Sequence, residues 1–396
     1  MTRLFDRQLR TTRALLGALV GLLAMTACVS AGASGQGTKA GKPPSSAAAI
    51  SMGVENAEPW DPTRPVVVAV QSGQLTDVQV QDRQGHPVRG HLARGATTWR
   101  STDRLLDFNA RYSVRATAVD SAGLVAHRAS SFRTVEPTDV VYSEITPVSR
   151  QVVGVGMPII VSFGAPVPNR AAAERHLSVN TSQPTIGSWY WVNDQMVRWR
   201  PKDYWRPGTE VVVRSDLAGV DLGQGTWGND DDRVKFTIGD ALISTVDIAN
   251  HNMVVERNGQ VIRRVPVTTG KPGWDTRNGV KVIMSKDREV VMDAATIDVD
   301  KGDPEYYRLD VEYAMRVTWS GEYLHAAPWS VSSQGEENVS HGCTGMSLSD
   351  ASWFYEISKT GDVVEYINGS RAMEPWNGYT DWTIPWEQWR AGSALQ

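Results

Sequence analysis

The stretch Tyr112-Ser113-Val114-Arg115-Ala116-Thr117-Ala118-Val119 places an apolar side chain at every second position for most of its length. Because successive side chains of a β-strand point to opposite faces of the sheet, this alternation is typical of a strand with one buried face. Pro65-Val66-Val67-Val68-Ala69-Val70 is a second such run, and short strands between Gly, Asp and Pro turns continue from about residue 50 to residue 240. Strands of this length and spacing predict β-sandwiches.

An internal repeat divides this region into two parts. Trp99-Arg100-Ser101-Thr102-Asp103 recurs 100 residues later as Trp199-Arg200-Pro201-Lys202-Asp203, a spacing that matches one sandwich domain. Val135-Glu136-Pro137-Thr138 favours a linker between the copies, because Pro interrupts strand pairing. We therefore expect two immunoglobulin-like (Ig-like) domains, at residues 50–137 and 138–240. The alternative to duplication is coincidence in a chain that contains 15 Trp residues.

The two predicted Ig-like domains carry no recognisable chemistry. They contain no Cys, and their His residues are isolated among turn or strand residues. The cluster Trp189-Tyr190-Trp191 is either a ligand platform or part of a sandwich core, and aromatic residues in sandwiches usually belong to the core. A spacer or binding role is therefore expected for residues 50–240.

A third predicted domain, residues 241–370, is also rich in strands. Asn258-Gly259 between two alternating segments predicts a tight hairpin. One short helix is predicted at residues 349–359, where Asp350 can cap or flank the start. The Trp-rich extension at residues 371–396 is too apolar for solvent and is expected to pack on the third domain.

The N-terminus has the order of an export signal. Arg residues precede the apolar run from Ala14 to Ala24, which is shorter than the ~20 residues of a membrane span. Leu23-Ala24-Met25-Thr26-Ala27-Cys28 resembles a bacterial lipobox, although Met25 stands where Leu is more usual. We therefore expect a signal peptide with a lipobox at residues 1–28 and lipidation of Cys28. Residues 29–49, which lack large apolar side chains, are expected to be a flexible linker.

Export and lipidation predict a protein at the outer face of the cytoplasmic membrane, attached by lipid only. The formal charge of −4 gives no reason to expect nucleic acid as a partner. The alternative to lipidation is ordinary signal-peptide cleavage nearby, and a Cys28–Cys343 disulfide is not expected in that case. Either way Cys343 is a lone thiol in an oxidising compartment, and such a thiol is either reactive or buried and inert.

The segment Ser340-His341-Gly342-Cys343-Thr344-Gly345 favours the reactive interpretation. Glycines on both sides of the Cys allow a sharp turn whose N–H groups can face a ligand, as in an oxyanion hole. His325 lies fourteen residues before Ser340, at the end of an alternating strand. A chain that folds back there forms a Cys–His dyad, in which the imidazole lowers the thiol pKa and makes the thiolate the resting nucleophile. A backbone carbonyl is a possible group to orient the imidazole.

His325 followed after fourteen residues by Ser340-His341-Gly342-Cys343 closely resembles the motif of the L,D-transpeptidases. Further similarity extends over Tyr307-Arg308-Leu309-Asp310-Val311, His325-Ala326-Ala327-Pro328-Trp329-Ser330 and the segment from Trp386 to Gly392, and it covers nearly the whole mature chain. The resemblance is to actinobacterial members with Ig-like front domains. It implies a mainly β fold, with two Ig-like β-sandwiches followed by a β-sandwich catalytic domain with a short helix and a Trp-rich C-terminal extension.

The resemblance also implies roles for individual residues. Cys343 would be the nucleophile, His325 the base and the Ser340 carbonyl the group that orients His325. The N–H groups of His341, Gly342 and Cys343 would form the oxyanion hole. Substrate would meet Tyr307 and Met292 in a flap, Gly321, Trp329 beside the pocket, and Gly345. Many relatives have Asn in place of Gly345, so a difference in acceptor positioning or rate is expected here.

The reaction implied is an acyl transfer without metal or cofactor. The thiolate attacks the third residue of a peptidoglycan tetrapeptide stem, D-Ala leaves, and a diamino acid of a second stem attacks the acyl-enzyme to give a 3–3 cross-link in the cell wall. Carbapenems would acylate the same Cys. The alternatives are an L,D-carboxypeptidase that uses water as acceptor, a general cysteine peptidase, a non-catalytic wall-binding scaffold, and a zinc site built from His325, His341 and Cys343.

Overall fold

The computed structural model describes residues 44–55 and 59–396. Cys28, the predicted signal peptide and most of the predicted linker therefore lie outside the described residues. Residues 46–396 form one compact unit that is mostly strand. Within the described ranges, no helix has both the length and the apolar composition needed to cross a membrane.

The first sandwich is built on the alternation that opens the sequence. In the strand Arg111–Val119 the side chains of Tyr112, Val114, Ala116 and Ala118 are buried, and the intervening side chains are more exposed. A four-stranded sheet in the order β1-β2-β5-β4 faces a three-stranded sheet in the order β3-β6-β7. The strands are β1 (Ala49–Met52), β2 (Val67–Gln71), β3 (Gln74–Gln81), β4 (Gly90–Leu92), β5 (Thr98–Ser101), β6 (Arg111–Val119) and β7 (Val125–Arg133).

The second sandwich packs two four-stranded sheets, β10-β17-β15-β12 and β13-β14-β11-β9, with the small parallel pair β16-β8 at its side. Its elements are β8 (Asp139–Val141), β9 (Ser143–Thr146), β10 (Val152–Val153), β11 (Ile159–Phe163), α1 (Arg170–Arg175), β12 (Leu177–Thr181), β13 (Gly187–Trp191), β14 (Met196–Pro201), β15 (Glu210–Asp216), β16 (Thr226–Gly228) and β17 (Asp231–Ile238).

The repeated tryptophans occupy equivalent places in the two sandwiches. Trp99 lies in β5 and Trp199 in β14, and both rings are buried. Each ring fills the space above a Gly on the neighbouring strand: a Cβ on Gly90 would lie 2.1 Å from the Trp99 ring, and a Cβ on Gly187 would lie 1.9 Å from the Trp199 ring. The same ring-on-glycine packing in both copies supports the duplication predicted from sequence. Trp189 and Trp191 are also buried and belong to the core.

The third region consists of a six-stranded sheet in the order β20-β19-β18-β26-β21-β27 and a four-stranded sheet in the order β22-β23-β24-β25. Its elements are β18 (Leu242–Asp247), β19 (Asn252–Arg257), β20 (Gln260–Pro266), β21 (Arg277–Val282), β22 (Ser285–Asp293), β23 (Arg308–Arg316), β24 (Tyr323–Ala326), β25 (Thr344–Met346), α2 (Leu348–Ile357), β26 (Val363–Ile367), β27 (Arg371–Ala372) and α3 (Trp386–Arg390), with 3-10 turns at Ala294–Ile297, Pro328–Ser330 and Asp381–Thr383.

Two local predictions in this region are confirmed. Asn258 and Gly259 join β19 to β20, and both adopt positive φ, as a two-residue hairpin turn of this kind requires. The predicted helix is α2, which begins one residue earlier than expected. Its N-cap is Ser347, whose hydroxyl accepts the Asp350 N–H, so Asp350 lies in the first turn instead of capping the helix.

The C-terminal extension does not pack on the third domain alone. β27 pairs with β21 of the catalytic sheet, but the tryptophans that follow lie against the second sandwich. Trp389 is fully buried and its indole N–H donates to the Ser188 carbonyl, 2.8 Å away. The Arg200 guanidinium lies under the rings of Trp382, Trp386 and Trp389. The expectation that the extension packs on the third domain is therefore incomplete, because its tryptophans also contact Ser188 and Arg200 of the second sandwich.

Truncation of Trp389 tests this packing. Trp389→Ala should lower the free energy of unfolding by about 3–5 kcal/mol, as large-to-small changes at fully buried aromatic sites do. Trp319→Ala, at a Trp that is 50% exposed, is the matched control and should cost less than about 1 kcal/mol. Urea unfolding followed by circular dichroism measures both, and equal shifts would contradict the bridging role of the extension.

Candidate active site

Two short parallel strands bring Cys343 and His325 together. Leu324 of β24 pairs with Thr344 of β25, and His325 pairs with Gly345. Cys343, which directly precedes β25, therefore lies at the level of β24. Both residues are buried, with 7% and 5% of their surfaces exposed, and both line a cavity of about 180 Å³.

The thiol is surrounded by the turn that leads into β24. Its Sγ–H donates to the Gly321 carbonyl, 3.6 Å away. Burial raises the pKa of Cys343 to about 12; the Tyr323 backbone amide and Lys281 lower it, and Glu322 raises it further. Gly321 therefore contacts the nucleophile itself, although the sequence placed it only among substrate-binding residues.

The imidazole is held by the carbonyl next to it in the chain. His325 Nδ1 donates to the Ala326 carbonyl, 2.7 Å away, which leaves Nε2 unprotonated and able to take a proton. The sequence assigned this role to the Ser340 carbonyl. That assignment is wrong in this structure, because Nδ1 donates to the Ala326 carbonyl instead. The Ser340 carbonyl accepts the Lys271 N–H, 2.9 Å away.

The resting dyad is neutral. Burial lowers the pKa of His325, against the opposing effect of the Ala326 carbonyl, so the imidazole is uncharged at pH 7. Burial also keeps the Cys343 thiol protonated. The prediction of a resting thiolate is therefore wrong in this structure. Desolvation is the largest influence on the pKa of each group, and it favours the uncharged form of both.

The turn before Cys343 depends on glycine. Gly342 has φ +120°, a conformation that residues with a side chain rarely adopt. Its N–H donates to Ser340 Oγ at 3.1 Å, and Ser340 Oγ donates to the Cys343 carbonyl at 2.7 Å. The Ser340 side chain thus stabilises the turn and occupies one of the three predicted oxyanion donors. The N–H groups of His341 and Cys343 stay predicted donors.

His341 is part of the cavity wall. Its Nε2 lies 2.7 Å from Glu305 Oε2, and the Lys271 ammonium lies 2.5 Å from the same oxygen. The His341 ring packs between Trp274 and Tyr307, at 4.8 Å from each ring centroid. This network ties the segment before β23 to the catalytic turn and favours a positioning role for His341.

The cavity contains most of the predicted substrate residues. Met292, Tyr307, Trp329 and Gly345 line it, whereas Gly321 lines an adjoining pocket that shares Met292 and Tyr307. Six further lining residues were missed: Thr268, Leu309, Val311, Ala327, Ser330 and Val339. Leu309 and Val311 continue the alternation that starts at Tyr307, so the sequence contained a signal for these two.

Gly345 leaves little room for a larger residue. A Cβ at this position would lie 3.0 Å from both Ala327 Cβ and Thr268 Cγ2. These neighbours would have to move by a few tenths of an ångström before Asn could take its place. Because Gly345 has no side chain, this wall of the cavity leaves more room for a ligand. In the part of the chain described here, no group of three or more His, Cys, Asp or Glu side chains is arranged to hold a metal ion.

These features are those of an acyl-transfer enzyme with a cysteine nucleophile in a mainly β domain. Comparison with known proteins agrees: residues 242–365 match the YkuD L,D-transpeptidase catalytic domain, and residues 57–221 match a bacterial Ig domain. L,D-transpeptidase 2 of Mycobacterium tuberculosis is 40% identical over 331 residues, which are 83% of this chain and 81% of that protein. The chain therefore belongs to the L,D-transpeptidase family.

Two further relatives cover the C-terminal half. L,D-transpeptidase 1 of Mycobacterium tuberculosis is 42% identical over 226 residues, 57% of this chain and 84% of that protein. A solved structure of the LD transpeptidase LdtMt1 in complex with imipenem has a TM-score of 0.51 and 42% identity. It covers 58% of this chain and 100% of that chain.

The neutral dyad predicts how Cys343 responds to pH. In a Cys28→Ser background, iodoacetamide should alkylate Cys343 at a rate that still rises above pH 9, because only the thiolate reacts and the thiol pKa lies far above neutrality. Intact-protein mass spectrometry from pH 6 to pH 10 measures the rate. A plateau reached below pH 7 would show an ion pair and contradict the neutral dyad.

Proposed function

We propose that this protein forms 3–3 cross-links between peptidoglycan stem peptides, with Cys343 as the nucleophile and His325 as the base. The observation that carries the proposal is the convergence of these two buried side chains on one cavity, in a chain of the L,D-transpeptidase family.

The first half of the reaction releases D-Ala. As Sγ of Cys343 bonds to the carbonyl carbon of the third stem residue, His325 Nε2 takes the thiol proton. Negative charge develops on the carbonyl oxygen, and the N–H groups of His341 and Cys343 are the proposed donors to it. The bond to the D-Ala nitrogen then breaks, His325 returns the proton to that nitrogen, and a thioester remains on Cys343.

The second half of the reaction transfers the acyl group. The side-chain amine of a diamino acid on another stem attacks the thioester, a new amide forms, and the carbon–sulfur bond breaks. His325 moves the proton from the amine to the sulfur, which restores the neutral thiol. The apolar walls of Met292, Leu309 and Val311 limit access of water and so favour the amine as acceptor.

Carbapenems are proposed to acylate Cys343 by the same route as the stem. The imipenem complex of LdtMt1, which is 42% identical, supports this. Opening of the β-lactam ring keeps the leaving nitrogen attached to the inhibitor, so no fragment departs and the adduct persists.

We also propose export and anchoring through lipid on Cys28, with the Ig-like domains at residues 50–137 and 138–240 holding the catalytic domain, residues 241–370, away from the membrane and within the cell wall. The lipobox-like segment supports the anchor. The spacer role is supported by the first sandwich, whose separate core of buried residues includes Val68, Val114 and Phe132.

Reaction products test the catalytic proposal. Incubated with a disaccharide tetrapeptide, the wild-type protein should yield free D-Ala and dimers joined through their third residues, as read by liquid chromatography and tandem mass spectrometry. Cys343→Ala should lose at least about 10³-fold of this activity, since the nucleophile is gone. Monomeric tripeptide as the sole product would indicate an L,D-carboxypeptidase, and an unchanged rate in Cys343→Ala would contradict the proposal.

Metabolic labelling tests the anchor. Expressed in a bacterium supplied with an alkyne fatty acid, the full chain should carry the label and sediment with membranes. Cys28→Ala should be unlabelled, because no other residue of the segment can form the thioether. Cys343→Ala serves as the matched control and should keep the label. Equal labelling of the Cys28→Ala variant would contradict lipidation at this residue.

A further inference from the structure

A buried charge cluster lies behind the catalytic turn. Lys281, in β21, is fully buried, and its Nζ lies 2.6 Å from Glu322 Oε2. The other oxygen of Glu322 accepts hydrogen bonds from the Arg277 guanidinium at 3.0 Å and from the Arg277 backbone N–H at 3.1 Å. Arg277 also pairs with Glu374 near the surface. Lys281 and Glu322 are thus a buried ion pair that the reaction described above does not use.

The pair touches the chain on both sides of the nucleophile. Glu322 stands between Gly321, whose carbonyl accepts the thiol proton, and Tyr323, whose amide faces the sulfur. Its Oε1 would lie 3.8 Å from a Cβ on Gly342. The Lys281 ammonium lies 3.7 Å from the centroid of the Tyr366 ring.

A further hydrogen bond connects Tyr366 to the residue that follows the nucleophile. The Tyr366 hydroxyl is 2.8 Å from Thr344 Oγ1, and Thr344 directly follows Cys343. Thr344, directly after the nucleophile, therefore contacts the ring that Lys281 packs against, and Gly342, directly before it, lies close to the Glu322 carboxylate.

Stability alone does not explain such a pair. Removing two charges from water costs several kcal/mol per ion, and well-packed apolar residues of similar volume are often as stabilising. A buried cation has a large effect on a nearby charge, because the low-dielectric interior screens it poorly. Lys281 lowers the pKa of the Cys343 thiol by Coulomb attraction, whereas the Glu322 carboxylate raises it. Glu322 also connects the Lys281 ammonium to the turn whose Gly321 carbonyl accepts the thiol proton.

We infer that Lys281, held by Glu322, is a positioning residue for the acyl transfer: its buried ammonium stabilises the negative charge that forms on Cys343 Sγ as His325 removes the proton. Glu322 in turn fixes the ammonium and the backbone from Gly321 to Tyr323 that surrounds the sulfur. The inference rests on the proposed role of Cys343 as nucleophile.

The charge state of Lys281 gives the inference a distinctive pH dependence. Burial lowers the pKa of Lys281 to about 8, against the raising effect of Glu322. The ammonium is therefore present at pH 7 and is lost as pH rises through about 8. The other titratable groups that face the sulfur are His325, Glu322, Tyr307, Tyr323 and Tyr366. Burial raises the pKa of each of these Tyr side chains, so all three stay neutral across this range.

The test compares Lys281→Met with the wild type in the full chain, carrying Cys28→Ser. At pH 7 the variant should react with iodoacetamide, and with imipenem, roughly tenfold more slowly, the equivalent of one pKa unit at the thiol. The wild-type to variant rate ratio should shrink toward one between pH 7 and pH 9, because the wild type loses the ammonium over that interval. A ratio that stays constant with pH would show a merely structural effect and overturn the inference.

Two further variants keep the result interpretable. Lys281→Met combined with Glu322→Gln leaves no unpaired buried charge, so it should fold even if the single variant does not, and its reactivity should show no pH-dependent component near pH 8. A component that persists in it would assign the effect to another group and overturn the inference. Asp381→Asn breaks the buried pair with Arg198 far from the sulfur and should lower the melting temperature while leaving the ratio near one at every pH.

The iodoacetamide arm separates this inference from the proposed function. Alkylation of Cys343 does not require stem peptide or transpeptidation. An active Lys281→Met with an unchanged pH profile would overturn the inference alone, whereas a wild type that makes no cross-links but shows the predicted ratio would overturn only the proposed function.

Discussion

The parallel pairing of β24 with β25 is the constraint on which the site depends. It sets His325 against Gly345 and so fixes where the thiol of the preceding residue can lie. Because Gly345 has no side chain, Ala327 and Thr268 can pack closely against the paired strands β24 and β25. The cavity wall therefore carries no side chain at this position. A one-residue slip in this register would turn His325 away from the cavity, since neighbouring side chains of a strand face opposite sides.

Burial determines the chemistry that this pairing makes available. The same desolvation raises the thiol pKa and lowers the imidazole pKa, so the enzyme rests with no charge on either group. A neutral thiol is oxidised less readily than a thiolate. In the proposed mechanism the sulfur becomes charged only during attack, when His325 takes the proton and the Lys281 ammonium attracts the negative charge. The two sandwiches contribute indirectly, because the C-terminal extension joins the second of them to the sheet that holds Lys281.

Local patterns in the sequence were sufficient where backbone geometry alone decides the structure. The alternation at Tyr112, the Asn258-Gly259 hairpin and the dyad residues could all be found from spacing. The Ala326 carbonyl could not, because every residue has a carbonyl and only the fold decides which one reaches His325. Lys281 and Glu322 lie 41 residues apart and look like surface residues in sequence. The docking of the extension likewise depends on a sandwich face that forms only in three dimensions.

The most direct test of this account is the site of acylation. The wild-type protein, mixed with a disaccharide tetrapeptide in the absence of an acceptor stem and quenched in acid, would be digested and mapped by tandem mass spectrometry. The account predicts a mass gain equal to the disaccharide tripeptide acyl group on the peptide that contains Cys343, and no gain in His325→Gln on the same timescale. Acylation of any other residue, or product formation with no adduct at Cys343 at any time, would contradict it.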